Sequence, residues 1–298
     1  MRLTKIIALI ICAALLLSAC GREIEPPQVV SEPVVTDAPP VKPAYPVSVG
    51  NETFEASPAG VASLSPALTE ILFDLGVGDR LIAVSDYCDY PSAVTGMPKT
   101  GSPANPDISA IAAFKPELLL TMSPIASADT ISLKQEHGVR VLEISRPKSY
   151  AELCDVYLNL AMIFYGAVDY SEIAWNALDV LDSQMSAASD LGILRSFVIV
   201  EAKSPEGLML SHGDTLASDM LSVFGHNLWE DSDRFTATDD ELFVLAPDIV
   251  FYAQGLRESD IEKVFPYSQL IEIDFERFER PTVRLAETIA YCADRLKR

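Results

Sequence analysis

Positive charge and histidine are both in short supply: the 298-residue chain holds 22 Lys and Arg and 3 His against 43 Asp and Glu. Two of the basic residues, Arg2 and Lys5, lie in an opening stretch that has no acid, so positions 20–298 carry 20 basic against 43 acidic side chains, a formal charge near −23. A surface of that sign excludes a nucleic-acid partner and electrostatic docking on anionic lipid, because both need excess cation. Three scattered histidines, at 137, 212 and 226, make no cluster with metal-ligand spacing, and no metal site or cofactor is expected. Nor is there a Gly-x-Ser-x-Gly setting around Ser65, the one elbow-like serine, which argues against a serine hydrolase. Cysteine is thin as well: beyond Cys20 only Cys88, Cys154 and Cys292 remain, an odd number for an exported chain, and no disulfide is predicted.

What is present begins with an export signal. Met1, Arg2 and Lys5 form a positive start, and residues 6–17 are almost wholly apolar but too short to span a bilayer comfortably. Leu17-Ser18-Ala19-Cys20-Gly21 then has the pattern of a lipobox, in which small residues admit the peptidase and the thiol of Cys20 carries the lipid. Residues 1–19 are thus expected to be a lipoprotein leader, leaving a lipid anchor as the sole membrane attachment. Residues 20–50, rich in Pro, Val and Glu with no apolar period, are expected to be a tether; polyproline II reaches about 3.1 Å per residue.

The stretch that organises the remainder is 61–91, VASLSPALTEILFDLGVGDRLIAVSDYCDYP. A short apolar run turns at Ser65-Pro66, and Leu68, Ile71, Leu72 and Leu75 follow at helical spacing until Gly76 and Gly78 stop the helix. A second apolar run, 80–84, discharges into the polar and aromatic tip SDYCDYP, at the carboxyl end of a strand, where open α/β sheets collect ligands. The alternation continues. Asp107 caps a helix that leads through Lys115-Pro116 to the buried strand 118–121, and a helix over 128–137 ends at Gly138 before the strand 139–144. Such βαβ units predict a parallel sheet with right-handed crossovers.

Between 149 and 190 the alternation gives way to helix, broken near Tyr165-Gly166. Its later part puts Ile173, Ala174, Ala177, Leu178, Leu181 and Met185 on one stripe, about 30 Å long. The α/β pattern restarts at Phe197-Val198-Ile199-Val200, then continues with a helix over 216–224, the capping sequence Thr238-Asp239-Asp240-Glu241 and its helix leading to LAPDIVF, which ends at Phe251. The expected fold is α/β, with two lobes, each a mainly parallel sheet flanked by helices, joined by a single long α-helix. The expected boundaries are 51–168 for the first lobe, 169–190 for the joining helix and 191–298 for the second lobe.

The LSPALTEILFDLG helix, the SDYCDYP tip and the strand entries FKPELLL and LAPDIVF, in this order and spacing, resemble the helical-backbone (class III) periplasmic substrate-binding proteins of vitamin B12, ferric siderophore and haem ABC importers, nearest to the cobalamin-binding branch. The resemblance covers almost everything after the tether. It implies a binding protein, not an enzyme, that captures its ligand between the lobes and hands it to an ABC transporter permease. The implied ligand-binding residues are Tyr87, Met122, His212, Arg234, Phe235, Tyr252, Glu276 and Arg277. Cobalamin binders line the cleft with more aromatics than this chain, which has Pro103, Met122, Ala202 and Arg234 at those places. A corrinoid suits a broad floor of Met, Pro and Tyr, a ferric siderophore suits Arg234, Arg257 and Arg277, and haem requires an axial Tyr or His, for which Tyr87 and His212 are available. Permease docking in the family uses an acid on each lobe. Asp240 with Glu241 stands at the second position, whereas Ser109 stands at the first, with Asp107 or Glu117 nearby. A structural lipoprotein is the competing reading, since it accounts for the anchor and the acidic surface.

Overall fold

The computed structural model describes residues 44–232 and 235–297. The leader, Cys20 and the tether up to residue 43 lie outside the described residues, as does Arg234. The folded body starts slightly before the expected boundary at 51: β1 (Val47–Val49) pairs antiparallel with β2 (Glu52–Phe54) in the register Val47↔Phe54. Ahead of that hairpin, the Tyr45 hydroxyl donates to the Ile163 carbonyl at 2.8 Å, and the Ala44 carbonyl accepts from the Ala167 amide at 3.0 Å.

The first lobe is built on β3 (Val61–Ser63), β4 (Leu81–Val84), the small hairpin of β5 (Gly101–Ser102) and β6 (Asn105–Pro106), β7 (Leu118–Thr121) and β8 (Arg140–Glu143). Its main sheet has four strands in the order β4-β3-β7-β8, all parallel. Chain order reverses between β3 and β7, so a crevice opens at their carboxyl ends. Helix α1 (Pro66–Asp74) forms where expected and for the expected reasons: the Ser65 side chain accepts from the Leu68 amide, Pro66 sits in the first turn, and Leu68, Ile71 and Leu72 are buried. The connections between β6 and β7 and between β7 and β8 are α2 (Ile108–Phe114), capped by Asp107, and α3 (Ser127–Gln135).

From Tyr150 the chain runs through α4 (Tyr150–Ser189), a 40-residue element kinked at Gly166, whose φ of 77° no helix accommodates. Ser149 caps it by accepting from the Glu152 amide. The joining helix expected over 169–190 is the second arm of this longer element, and the break read at Tyr165-Gly166 is its kink. Both arms bury an apolar stripe, Leu153, Tyr157, Leu160 and Phe164 on the first and Ala174, Leu178 and Leu181 on the second.

The second lobe comprises β9 (Arg195–Ser204), β10 (Gly207–Leu210), α5 (Leu216–Leu221), β11 (Gly225–Asn227), β12 (Thr236–Ala237), α6 (Asp239–Leu245), β13 (Ile249–Ala253), α7 (Glu258–Val264), β14 (Gln269–Ile273), α8 (Glu276–Glu279) and α9 (Leu285–Leu296). Its sheet has six strands. The path is β12-β10-β9-β13-β14, with β11 beside β9. β11, β9, β13 and β14 run parallel, while β10 and β12 add antiparallel pairs that the sequence did not announce. The helix expected over 216–224 closes as α5 plus a short 3-10 turn over 222–224.

Successive residues of β9 feed different cores. Phe197 and Ile199 join the core that also contains Phe54 and Leu68 of the first lobe, Tyr157 and Leu178 of α4, and Phe251 and Ile289 of the second lobe. Val198 and Val200 face a separate outer core with Trp229 and Leu242. One close-packed core therefore runs from lobe to lobe through α4, and such cores deform little. Wide opening would have to break it, whereas a small rocking at the helix kink would not. Cys88, Cys154 and Cys292 are buried and unpaired; burial raises the Cys292 thiol pKa to about 12, leaving it an inert core group.

Candidate functional site

The carboxyl end of β4 carries the aromatic tip, and the tip is held from three sides. Beneath it, the Lys99 ammonium donates to the carbonyls of Ser85 at 3.2 Å and Cys88 at 3.0 Å, and the Asp86 amide donates to the Gly101 carbonyl at 2.9 Å. Buried Cys88 lies within hydrogen-bond reach of the Ser85 and Thr69 hydroxyls, at 3.2 and 3.3 Å. From the second lobe, Arg280 meets Asp89 at 2.6 Å, and the guanidinium of Arg284 lies 4.1 Å from the centre of the Tyr90 ring. Out of this fixed loop Tyr87 projects with 59 % of its surface exposed. An exposed aromatic on an immobilised loop is a ready stacking surface, since little ordering remains to be lost when a ligand covers it.

Below the tip the lobes are fastened by a buried polar joint. Glu70 of α1 is 2 % exposed, and its carboxylate takes the Arg284 guanidinium at 3.3 Å and the Thr282 hydroxyl at 3.3 Å, both from the second lobe. Burial raises the Glu70 pKa, opposed by Arg284. Beside it the Tyr157 hydroxyl donates to Asp74 at 2.6 Å and accepts from the Val283 amide at 3.0 Å. Burial raises the pKa of Asp74 too, against the hydrogen bond from Tyr157. A charge this deep is tolerated only when paired and hydrogen-bonded.

On the second-lobe wall, His212 packs edge-on against Phe235 with ring centres 4.7 Å apart. Its Nδ1 accepts from the Asp214 amide at 3.1 Å. A backbone amide is always a donor, so Nδ1 is the acceptor in this contact and the other ring nitrogen is left for a further partner. Two further ion pairs cross from lobe to lobe: Arg146 with Glu279 at 2.9 Å, and Lys148 with Asp214.

The remaining expected site residues divide. Met122 is half-buried at the end of β7 and packs on the main core. Glu276 is exposed at the start of α8. Arg277 is half-buried and held by Asp274 at 3.1 Å and Glu287 at 3.0 Å, with its Nη1 left without a partner. Tyr252 does not reach the cleft: it is 4 % exposed, because its place in β13 turns the ring into the outer core of the second lobe, where its hydroxyl lies 3.4 Å from Glu258. Arg257, offered to an anionic ligand, is on α7's entry and pairs with Asp260 at 2.9 Å. Sequence reasoning passed over Glu70, Asp89, Lys99, Arg146, Glu201 and Glu279. Only Asp89 carried a signal, its place in the tip; the others become visible when chain segments far apart in sequence meet.

At the proposed docking position, Asp240 is exposed, whereas Glu241 accepts from the Thr238 amide at 2.9 Å in a capping box. On the first lobe Asp107 caps α2 and Glu117 accepts from the Ala59 amide at 3.0 Å, so both acids near Ser109 have structural duties. Among the described residues no group of three or more His, Cys, Asp or Glu is placed to hold a metal.

A sequence profile described as periplasmic binding protein matches residues 61–262. The chain is 26 % identical over 285 residues to the uncharacterized ABC transporter substrate-binding lipoprotein YvrC of Bacillus subtilis, covering 91 % of this chain and 87 % of that one. It is 33 % identical over 95 residues to the vitamin B12-binding protein of Vibrio vulnificus, a match that spans 32 % of this chain and 34 % of that protein. Among solved structures, the periplasmic haem-binding protein HutB of Vibrio cholerae superposes with a TM-score of 0.68 at 14 % identity, over 80 % of this chain and 98 % of that one.

Proposed function

The chain belongs to the periplasmic binding protein family, and we propose that it is the extracytoplasmic, lipid-anchored substrate-binding protein of an ABC importer, capturing a corrinoid between its lobes for delivery to a permease. The family makes it a binding protein and not an enzyme. Within the wider vitamin B12, haem and siderophore class, the observation that carries the corrinoid reading is the charge state of the cleft rim. Among the described residues its arginines are already spoken for: Arg146 by Glu279, Arg277 by Asp274 and Glu287, Arg280 by Asp89 and Arg284 by Glu70. A ferric siderophore bearing negative charge would have to break such pairs, while a large neutral ligand with apolar faces only needs the exposed ring of Tyr87 and the sulfur of Met122. The 95-residue likeness to a vitamin B12-binding protein supports the same ligand.

Haem is the second reading, favoured by exposed Tyr87 as an oxygen ligand for iron. The test is titration of the full-length protein in detergent with cyanocobalamin, dicyanocobinamide, haemin and a panel of ferric siderophores. Submicromolar corrinoid binding is expected; tight binding of haemin or of a siderophore with none of a corrinoid overturns the ligand assignment. Anchoring is tested separately, by radiolabelled palmitate incorporation that Cys20→Ala abolishes. For docking, Asp240→Lys alone is the clean probe, because Glu241 also caps α6: weaker association with the cognate permease is expected at unchanged ligand affinity.

A further inference from the structure

We infer that Glu201 is a specificity-determining residue of the cleft, set there by a β-bulge to accept N–H donors from the ligand and to turn away ligands that carry free carboxylates. The inference deepens the corrinoid reading and rests on it.

The geometry begins with strand register. β10 pairs with β9 as Met209↔Ala202 and then Leu210↔Val200, so Glu201 is the extra residue on β9 with no partner across the ladder. A bulge of this kind bends its strand and re-aims one side chain, and it is a recurrent device beside binding sites. It falls where β9 leaves the parallel part of the sheet, whose last pair with β13 is Tyr252↔Val200. Glu201 thus occupies the carboxyl edge of the second-lobe sheet, the edge on which open α/β sheets bind ligands.

Its surroundings fit that duty. The buried Ser211 hydroxyl donates to one carboxylate oxygen, Oε1, which fixes the rotamer and leaves the other oxygen's lone pairs for a further donor. The Glu201 pKa is raised mainly by burial, with Glu279 adding to the rise and Ser211 and His212 opposing it. Glu279 is the residue that grips Arg146 of the first lobe, so a carboxylate close enough to feel Glu279 and His212 lies at the seam between the lobes. Among the described residues no salt bridge neutralises Glu201, and the hydrogen bond it accepts comes from an uncharged hydroxyl. A partly buried carboxylate of this kind gains from primary amide or ammonium N–H groups and repels another carboxylate at short range, where screening by water is weak. Corrinoids carry primary amides around their rim; haem carries two carboxylates. His212, whose Nδ1 accepts from the Asp214 amide, leaves its other ring nitrogen for a second polar contact on the same wall.

The experiment compares the full-length wild-type protein with Glu201→Ala and Glu201→Gln, titrating each with cyanocobalamin and with haemin and recording the thermal midpoint. Wild type is expected to prefer cyanocobalamin. Glu201→Ala should weaken cyanocobalamin binding about tenfold, the range for a hydrogen bond to a charged group, while haemin binding holds or tightens. Glu201→Gln keeps an acceptor for Ser211 and guards against misfolding of the alanine variant; it should narrow the preference between the two ligands without shifting the midpoint. Affinities for both ligands that stay within about twofold, or that fall together with the midpoint, overturn the inference and leave the corrinoid reading standing. A wild-type protein that binds no corrinoid overturns that reading, and this inference with it.

Discussion

The two lobes solve the same problem with different materials. The first presents an aromatic on a loop, Tyr87, and fixes the loop with backbone contacts: Lys99 on two carbonyls and the Asp86 amide on Gly101. The second places Glu201 on a bulged strand and His212 in the turn after β10, where its Nδ1 accepts from the Asp214 amide. The first lobe's main sheet is uniformly parallel, four strands with helices between them, and its edges are short. The second widens its sheet to six strands by folding β10 and β12 back antiparallel, and that widening creates the bulge. In the proposed reading lobe one supplies shape and lobe two supplies chemistry, while the RPTVR loop joins α1 through Thr282 and Arg284 on Glu70.

The sharpest way to break the comparison is through glycine. Gly225 opens β11 at φ 150°, and a Cβ there would stand 1.6 Å from the Arg195 carbonyl oxygen, backbone against backbone. Gly225→Ala should therefore cost about 3 kcal/mol or more, since neither strand can yield without unpairing. Gly60, leading into β3 of the first lobe, is a different case: a Cβ would sit 3.4 Å from the Ile82 side chain, an ordinary contact. Gly60→Ala should stay within about 0.5 kcal/mol. Urea unfolding midpoints of the two variants check this; equal losses would mean the second-lobe sheet is no tighter than the first.

These contrasts also explain what was legible in the sequence. Periodicity and punctuation located α1, β7 and the break in α4, because Ser65-Pro66, the run Leu118-Leu119-Leu120 and Gly166 act through local chain geometry. The α/β class and the joined lobes followed from alternation and from where it stops. The antiparallel strands β10 and β12 were hidden, since Gly207–Leu210 is short and its pairing depends on a distant partner, Thr236–Ala237. Of the expected site residues, Tyr87 stands exposed beyond the end of β4 and His212 lies beside Phe235. Tyr252 misled for a simple reason: a strand alternates its faces, and the residue at the end of a run is as readily on the core side as on the ligand side. Glu70 gave no warning at all, being an ordinary helix-surface residue by local pattern and a buried interlobe anchor by tertiary contact.

The next largest effect is expected at that anchor. Arg284→Ala removes the cation from a carboxylate that stays buried, at a cost of about 2 kcal/mol after allowing for the partial exposure of Arg284 itself. It also frees Tyr90 from its cation, so the tip should loosen and ligand dissociation should quicken. Chemical unfolding and stopped-flow release measure the two parts. Stability loss with unchanged release would confine the joint to folding. Tyr87→Ala acts on the ligand alone: the ring is exposed and its loop is held by other residues, so the fold should be unchanged while affinity falls by about 1 kcal/mol, roughly fivefold. A shifted thermal midpoint would show that the tip depends on the ring it displays.

The smallest expected effect is a slope. Glu70 has its pKa raised above the ordinary 4.5, chiefly by burial, with Arg284 opposing. In the folded protein the carboxyl keeps its proton to higher pH than in the unfolded chain, so more protons are bound in the native state through the window that starts at about 4.5 and extends upward. Stability from this group is complete below that window and is lost as pH rises through it, the reverse of the usual carboxylate in a surface ion pair. Asp74 shares the direction, with burial again the main cause and the Tyr157 hydroxyl opposing. Glu70→Gln keeps an acceptor for Thr282 and Arg284 but cannot titrate, so its curve of unfolding free energy against pH should decline less steeply than wild type above about pH 4.5. The comparison is of slopes, because the substitution also changes the absolute stability of the joint. Parallel curves for wild type and variant would mean that Arg284 fully offsets the burial of Glu70, and the interlobe joint would then be insensitive to acid.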